Sequence, residues 1–210
     1  MALRLGDIAP NFTATTTQGT INFHEWLGNS WGVLFSHPAD FTPVCTTELG
    51  KTALLKGEFE KRNCKVIAIS VDDVASHNRW IPDIEKVNHV EMNFPIIADE
   101  NQNVAQLYDM IHPNASEKAT VRSVFIIGPD KKVKLTLTYP MAVGRNFLEI
   151  LRVLDSLQLN AAYSVATPAD WHQGEDVIVT LNVPTEDIPA KYGVEPEMKT
   201  AYLRYVPQPN

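Results

Sequence analysis

The chain has 210 residues, of which 44% are hydrophobic and 20% are charged, and its formal net charge is −7. This length suffices for one sizeable hydrophobic core, or for one domain with an appendage. The acidic balance argues against a nucleic-acid-binding protein, which is usually basic, and it also argues against a patch that binds anionic membranes.

Cysteine usage and the chain start predict the compartment. Two cysteines in the whole chain exclude a disulfide scaffold and are typical of a reducing environment. The first ten residues, MALRLGDIAP, lack the apolar stretch of a signal peptide. The longest apolar runs, such as VIAI and VFII, are far too short to span a bilayer. We therefore expect a cytoplasmic protein without integral membrane association.

The first half of the chain alternates short apolar runs with helical patterns. We predict a buried strand over residues 31–36 (WGVLFS), a helix over 45–62 and a second strand over 65–72. A further helix over 74–87 contains Pro82, which should break or kink it. FPII, at residues 94–97, is typical of a short edge strand or an extended loop.

The second half adds a hairpin and a strongly periodic helix. Residues 123–129 and 132–140 are predicted strands that meet at a turn containing Gly128, Pro129 and Asp130. Apolar residues recur at i, i+3, i+4 and i+7 over residues 146–158, with Asn146 as a candidate N-cap. Strands alternating with helices and ending in a hairpin and a helix predict an α/β fold with a mixed sheet.

The composition changes near residue 160, where prolines become frequent. Two strand-like runs follow, at residues 176–183 and 200–206. A segment of about fifty residues does not easily bury a core of its own. We therefore expect residues 1–160 to form the main domain and residues 161–210 to form a small C-terminal extension containing β-structure. This extension should pack on the first domain or, as we prefer, at the interface of a homodimer.

Cys45 lies in the segment FTPVC, at the predicted start of a helix that follows a strand. Thr42 suits the N-cap and its oxygen could accept from the amide of Cys45, while Pro43 suits the first helical position. The positive end of the helix dipole favours a thiolate over a thiol. A stabilised thiolate is also a weaker nucleophile, so this effect alone yields only a few-fold gain in rate. Cys45 is therefore either a small buried core residue or a nucleophile that needs further donors.

The run SHPADFTPVCTTELG contains the P-x-x-x-T/S-x-x-C signature of the peroxiredoxins, with Pro38, Thr42 and Cys45 at the three fixed positions. Together with TVRSVFIIGPDKK, YPMAVGRNFLEILRVLDSLQL and the tail VATPADW…YLRYVPQP, it resembles the one-cysteine, peroxiredoxin-six-type subfamily. The resemblance runs from about Leu5 to Pro209. It implies a thioredoxin-like fold and the reduction of hydrogen peroxide and of alkyl or lipid hydroperoxides.

The resemblance also implies roles for individual residues. Cys45 corresponds to the cysteine whose thiolate attacks the O–O bond and becomes a sulfenic acid. Thr42 would hydrogen-bond the thiolate and the peroxide, Pro38 would shield the pocket, and Arg122 would hold the thiolate and polarise the peroxide. Supporting positions match Glu48, which would orient Arg122, as well as His37 and Arg145.

Cys64 is not expected to resolve the sulfenic acid. If residues 45–61 formed one helix, its ends would lie roughly 25 Å apart, whereas a disulfide needs Cα atoms within about 7 Å. The hypothesis is a one-cysteine cycle with an external reductant, either a small thiol or a thioredoxin-like protein. No cofactor is expected, and the six histidines show no metal-ligand spacing such as H-x-x-x-H.

Two other classes of function remain open at the level of sequence. GNSWG matches the G-x-S-x-G pattern of serine hydrolases, but Ser30 precedes a strand, whereas that pattern needs a strand-to-helix turn. Peroxiredoxins of this type are described as phospholipases A2 as well, and the matching positions are Ser30, His24 and Asp130. A non-enzymatic chaperone or redox-signalling protein is the third class.

Overall fold

The computed structural model describes residues 3–209 and divides the chain into two compact units, Met1–Phe147 and Leu148–Asn210. The division falls at the start of the periodic helix. The boundary predicted from the sequence lies later, near residue 160. Within the described residues, no helix is long and apolar enough to cross a membrane.

The described part of the first unit is built on a seven-stranded mixed sheet in the order β2-β1-β5-β4-β3-β6-β7. The strands are β1 (Thr13–Thr16), β2 (Gly19–Asn22), β3 (Trp31–Ser36), β4 (Cys64–Ser70), β5 (Ile96–Ala98), β6 (Arg122–Ile127) and β7 (Val133–Tyr139). The three central strands β3, β4 and β5 run parallel, and β6 and β7 form the antiparallel hairpin. The predicted α/β class with a mixed sheet is confirmed.

Six helices begin in the described part of this unit. They are α1 (Phe23–Leu27), α2 (Pro43–Leu54), α3 (Lys56–Lys61), α4 (Val74–Asn88), α5 (Asn103–Leu107) and α6 (Phe147–Tyr163). A cluster of buried aliphatic and aromatic side chains, including Leu34, Ile67, Phe23 and Tyr108, forms the core of the sheet. Nearly every residue of β3, β4 and β6 is buried, as their continuous apolar runs indicate.

Three details differ from the sequence-based expectations. The helix predicted over 45–62 is two helices, because the chain leaves helical geometry at Leu55, whose amide donates to both Lys51 O and Thr52 O. The strand β5 is interior rather than at an edge, since it pairs with β1 and β4. The helix α4 continues through Pro82 instead of ending there. Pro82 has no amide hydrogen to donate to the carbonyl of Asn78, four residues earlier. Both residues are exposed, so this carbonyl lies in an exposed turn.

The described part of the second unit holds a four-stranded antiparallel sheet in the order β10-β11-β9-β8. Its elements after α6 are β8 (Val165–Ala166), β9 (Val177–Val179), a 3₁₀ turn (Thr185–Asp187), α7 (Ile188–Tyr192), β10 (Glu197–Met198) and β11 (Arg204–Val206). Contrary to expectation, this unit has a small hydrophobic cluster of its own, which includes Trp171 at 1% exposure. The expectation did not count the end of α6, which supplies Leu159 to this cluster.

Candidate active site

The start of α2 places Cys45 beyond the carboxyl end of β3. Thr42 is the N-cap with extended backbone (φ −112°, ψ 146°), and Pro43 is the first helical residue, as predicted. The Thr42 hydroxyl, however, donates to Ala39 O at 2.9 Å instead of capping the amide of Cys45. Cys45 is completely buried, so the first turn of α2 presents its sulfur to the protein interior.

Arg122 is the protein group that approaches the sulfur of Cys45. It is the first residue of β6, the strand next to β3, and is 2% exposed. Its Nη1 lies 3.4 Å from Cys45 Sγ and 2.7 Å from Glu48 Oε2. Its Nε donates to Met141 O at 2.8 Å, which fixes the plane of the guanidinium. The arginine thus bridges the cysteine and a carboxylate on the same helix.

Glu48 holds two arginines at once. One turn after Cys45 on α2, its carboxylate accepts from Arg145 Nε at 2.9 Å and from Arg145 Nη2 at 2.6 Å. Arg145 also stacks over the ring of Phe35, with its guanidinium carbon 5.0 Å from the ring centroid. Burial by itself raises the pKa of Glu48, but hydrogen bonds and charge from Arg145, with a contribution from Arg122, outweigh it and lower that pKa below 4.5. The carboxylate is therefore ionised.

Arg145 was predicted only as a supporting residue, yet it is 8% exposed and fully engaged. Its backbone amide donates to Glu48 Oε1 at 2.8 Å, and its Nη1 donates to Ser123 O at 2.9 Å. Burial lowers the pKa of Arg145, and Glu48 opposes that shift. Four sequence-predicted residues, Cys45, Glu48, Arg122 and Arg145, therefore meet at one buried point. Pro38, which is buried, and half-buried Thr42 lie in the loop that leads to it.

A second buried cluster lies at the start of the same loop. His37 Nε2 is 3.0 Å from Asp40 Oδ1, and His77 Nδ1 is 2.8 Å from Asp40 Oδ2. His37 was predicted from the sequence, whereas Asp40 and His77 were not. The spacing of His37 and Asp40 in HPAD was a possible signal for the first pair. His77 comes from α4, and only the tertiary structure brings it to Asp40.

Cys64 lies at the opposite end of β3 from Cys45. It pairs with Trp31, the first residue of β3, whereas Cys45 follows the last residue of that strand. Six residues of strand measure about 17 Å from first to last Cα. The two cysteines are therefore far apart, even though residues 45–61 form the two helices α2 and α3 and not the single helix on which the expectation was based. Both thiols are free, and burial raises the pKa of Cys64 to about 12.

The three residues of the hydrolase alternative have separate partners. The hydroxyl of Ser30 donates to Asn63 Oδ1 at 2.9 Å, and His24 Nε2 lies 2.8 Å from Ala9 O. Asp130 accepts from Lys134 Nζ at 2.7 Å, which contributes to the lowered pKa of its carboxyl group. Ser30 bonds to an asparagine and not to His24, and His24 bonds to a backbone carbonyl and not to Asp130. The three residues therefore do not form the serine–histidine–aspartate relay that acyl hydrolysis requires.

Comparison with known families gives two matches along the chain. Residues 5–136 match the AhpC/TSA family, and residues 156–192 match the C-terminal domain of 1-Cys peroxiredoxin. The chain belongs to the peroxiredoxins. This peroxiredoxin is a thiol-dependent peroxidase, and neither an acyl hydrolase nor a non-enzymatic function is favoured by its relatives.

Individual relatives cover this peroxiredoxin almost from end to end. It is 54% identical to the 1-Cys peroxiredoxin of Dictyostelium discoideum over 99% of this chain and 86% of the relative. It is 51% identical to peroxiredoxin-6 of Homo sapiens, over 99% and 98% of the two chains. It is 52% identical to the mitochondrial peroxiredoxin PRX1 of Saccharomyces cerevisiae, over 97% and 80%.

Solved structures confirm the thioredoxin-like peroxiredoxin fold. A mutant of peroxiredoxin 6 from Arenicola marina superposes with a TM-score of 0.94 at 50% identity, with complete coverage of both chains. A yeast mitochondrial 1-Cys peroxiredoxin superposes with a TM-score of 0.92 at 51% identity, covering 98% of this chain and 99% of the other. That structure is described as showing a thiol resolving mechanism via glutathione/thioredoxin systems.

Proposed function

We propose that Cys45 is the peroxidatic cysteine of a one-cysteine cycle that reduces hydrogen peroxide and alkyl or lipid hydroperoxides. One observation carries this proposal: the guanidinium of Arg122 lies 3.4 Å from Cys45 Sγ and is itself held by a buried carboxylate. Cys64 differs, because burial raises the pKa of its thiol to about 12 against a smaller opposing effect of Arg62, and the thiol stays protonated.

The charges around Cys45 favour an anion at its sulfur. The two guanidinium groups of Arg122 and Arg145 and the one carboxylate of Glu48 leave a net positive charge in a buried place. Burying an uncompensated charge is costly, so a negative sulfur in contact with Arg122 lowers the energy of the whole group. The helix end contributes in the same direction. The arginine supplies the additional donor that the helix dipole alone lacks.

The reaction that follows is a two-electron transfer. The Cys45 thiolate attacks one peroxide oxygen, the S–O bond forms as the O–O bond breaks, and the leaving oxygen takes up a proton to give water or an alcohol. The sulfur is oxidised to sulfenic acid and the peroxide is reduced. We assign to Arg122 the stabilisation of charge on the breaking O–O bond. Because the Thr42 hydroxyl donates its proton to Ala39 O, its oxygen offers an acceptor to the O–H of the peroxide. Buried Pro38 keeps water away.

An external thiol completes the cycle. It condenses with the sulfenic acid to a mixed disulfide with loss of water, and a second thiol releases Cys45. Because a yeast relative is described with glutathione/thioredoxin systems, we propose a small thiol such as glutathione or a thioredoxin-like protein as the reductant. A panel of both reductants with peroxide-oxidised protein tests this. Failure of both to restore the Cys45 thiol would exclude the proposed reductant classes.

The central experiment is a single turnover with stoichiometric peroxide, followed by trapping with a sulfenic-acid reagent and mapping by mass spectrometry. We expect the adduct on Cys45 in the wild type and in Cys64→Ser, and we expect no peroxidase activity in Cys45→Ser. Cys64→Ser is the matched control, because it removes the other buried thiol. Full activity of Cys45→Ser, or a stoichiometric disulfide between the two cysteines, would contradict the proposal.

We also propose a homodimer located in the cytoplasm. The second unit leaves Leu181 72% exposed and Tyr202 68% exposed, and a second copy of the chain would take these two side chains out of water. Sedimentation of the wild type and of Leu181→Glu tests the dimer, and a wild-type monomer at micromolar concentration would exclude it.

One yeast relative is mitochondrial, so cell fractionation decides the compartment, and enrichment in mitochondria would contradict the cytoplasmic assignment.

A further inference from the structure

Two histidines and an aspartate form a buried chain behind the loop that leads to Cys45. His37 and His77 are 0% exposed and Asp40 is 7% exposed. The two oxygens of Asp40 each lie at hydrogen-bond distance from a different histidine, at 3.0 Å and 2.8 Å. His77 Nε2 also lies 3.2 Å from the carbonyl oxygen of Ile97.

The partners of each atom determine where the protons are. Burial by itself raises the pKa of Asp40, but hydrogen bonds from His37 and His77 outweigh it and hold that pKa well below 3.8, so the carboxylate only accepts. Each histidine nitrogen that faces this carboxylate must therefore carry a proton, so His77 donates from Nδ1. His37 must donate from Nε2. Its Nδ1 is buried and has no hydrogen-bond partner among the described residues.

The distances identify hydrogen bonds rather than a metal centre. One ligand atom from each of these three residues lies within 4.8 Å of the others, which a metal ion could in principle use. Ligands of a tetrahedral zinc at about 2.0–2.1 Å from the metal lie about 3.3 Å from each other. The observed nitrogen-to-oxygen distances of 2.8 and 3.0 Å are shorter and match N–H···O bonds.

The same cluster fixes the backbone of the loop. The amide of His37 donates to Ile69 O, and the hydroxyl of Thr120 donates to His37 O. The amide of Asp40 donates to Asp72 Oδ2 at 3.0 Å, and Asp72 is a further charge that acts on His37. Phe41 then adopts φ +54°, which a bulky residue rarely adopts without support from its surroundings. Thr42 and the first turn of α2 follow directly.

We propose that Asp40 and His77 are positioning residues of the peroxidase site: the Nδ1–H of His77 holds the Asp40 carboxylate, which keeps the proton of His37 on Nε2 and leaves Nδ1 as a buried hydrogen-bond acceptor. This inference rests on the proposed role of Cys45. His37 Nδ1 is then an unpartnered hydrogen-bond acceptor at the start of the loop that leads to Cys45. Burial lowers the pKa of His37 and favours its neutral form, although the hydrogen bond to Asp40 opposes this shift.

The direct test is histidine nitrogen NMR on the wild-type protein between pH 6 and 8. We expect His77 to carry a proton on Nδ1 and His37 to be the Nε2–H tautomer. Assignment uses His77→Gln, with exposed His172→Gln as the control. A His77 without a proton on Nδ1, or a His37 proton on Nδ1, would overturn the inference. So would one equivalent of added zinc that is retained and shifts the resonances of both rings.

A kinetic test separates positioning from a merely structural role. Asparagine at position 40 accepts from only one histidine and offers an N–H to the other, so the proton arrangement must change. We expect Asp40→Asn to slow sulfenic-acid formation at Cys45 at least tenfold and to alter its pH profile. Asp83→Asn, an exposed change on α4, should do neither. An unchanged profile in folded Asp40→Asn would contradict the inference.

The two tests also separate this inference from the function on which it rests. If Cys45→Ser keeps peroxidase activity, the proposed function fails whatever the histidine protonation states are. If Cys45 forms the sulfenic acid but His37 and His77 show other proton arrangements, only the positioning role fails. Should Asp40→Asn not fold, the wild-type spectrum still decides the question.

Discussion

At the scale of single residues, Glu48 determines most of the electrostatics of the site. It is 3% exposed and shares its carboxylate between Arg122 and Arg145. Taking these charges out of water is costly, and only their mutual contacts offset that cost. Glu48 therefore stabilises the fold and orients the donor at Cys45 through the same hydrogen bonds.

We expect Glu48→Gln to reduce the free energy of unfolding by about 3 kcal/mol, because two buried guanidinium groups lose their countercharge. Urea denaturation measures this. Glu58→Gln is a suitable control, because the Glu58 side chain is 40% exposed and its partner Lys61 is 71% exposed, so this carboxylate keeps its contact with water when it pairs with Lys61 and Arg62. It should leave the free energy of unfolding nearly unchanged. Equal effects of the two substitutions would contradict the buried role of Glu48.

At the scale of elements, the packing of α2 against α4 determines the position of α2. Gly50 of α2 faces Asn88, the last residue of α4, whose side chain donates to Thr46 O and Ile84 O. A Cβ on Gly50 would stand 2.0 Å from the side-chain carbon of Asn88. The absence of a side chain at Gly50 therefore lets the two helices approach at the turn that follows Glu48.

We expect Gly50→Ala to destabilise the protein by about 1–3 kcal/mol, since overpacking outweighs the better helix propensity of alanine. The matched control is Gly57→Ala in α3, where an added Cβ meets nothing within 4 Å. This control should gain roughly 0.5–1 kcal/mol from helix propensity alone. Denaturation midpoints of both variants test the prediction. A stabilising Gly50→Ala would contradict it and would show that the side chain of Asn88 moves away at little energetic cost.

At the scale of the whole molecule, buried titratable groups tie stability to pH. Burial lowers the pKa of His37 below 6.5. The carboxyl groups of Glu48 and Asp40 have pKa values below 4.5 and 3.8, because hydrogen bonds from their buried partners outweigh the effect of burial. Asp99 acts in the opposite direction, since burial raises its pKa above 3.8. Three groups therefore bind protons more readily in the unfolded chain, and one binds them more readily in the folded chain.

We expect the free energy of unfolding to fall as the pH falls from 7.5 to 4. The loss begins below about pH 6.5, where an unfolded His37 takes up a proton, and the two carboxylates add to it below about pH 4.5. Denaturation at pH 7.5, 5.5 and 4 measures the trend. His37→Gln should flatten the part between 6.5 and 5.5, and a stability that is constant over this range would contradict the assignment.

The sequence by itself determined the main elements and the identity of the nucleophile candidate. Continuous apolar runs predicted β3, β4 and β6 because strands buried on both faces have no polar alternation. The turn at Gly128, Pro129 and Asp130 predicted the β6–β7 hairpin. Thr42 and Pro43 predicted where α2 begins because these residues suit the first positions of a helix. The P-x-x-x-T-x-x-C signature then linked Cys45 to the peroxiredoxins, although the hydroxyl of Thr42 points to Ala39 and does not cap the helix.

Only the tertiary structure decided which charges meet. Glu48, Arg122 and Arg145 come from a helix, a strand and a loop, and pairing between β3 and β6 with the packing of α2 brings them together. Local patterns report on neighbours within a few residues, so they could not predict that Arg145 is fully engaged. For the same reason they could not show that His77 reaches Asp40, a contact that forms only because α4 packs beside the loop after β3.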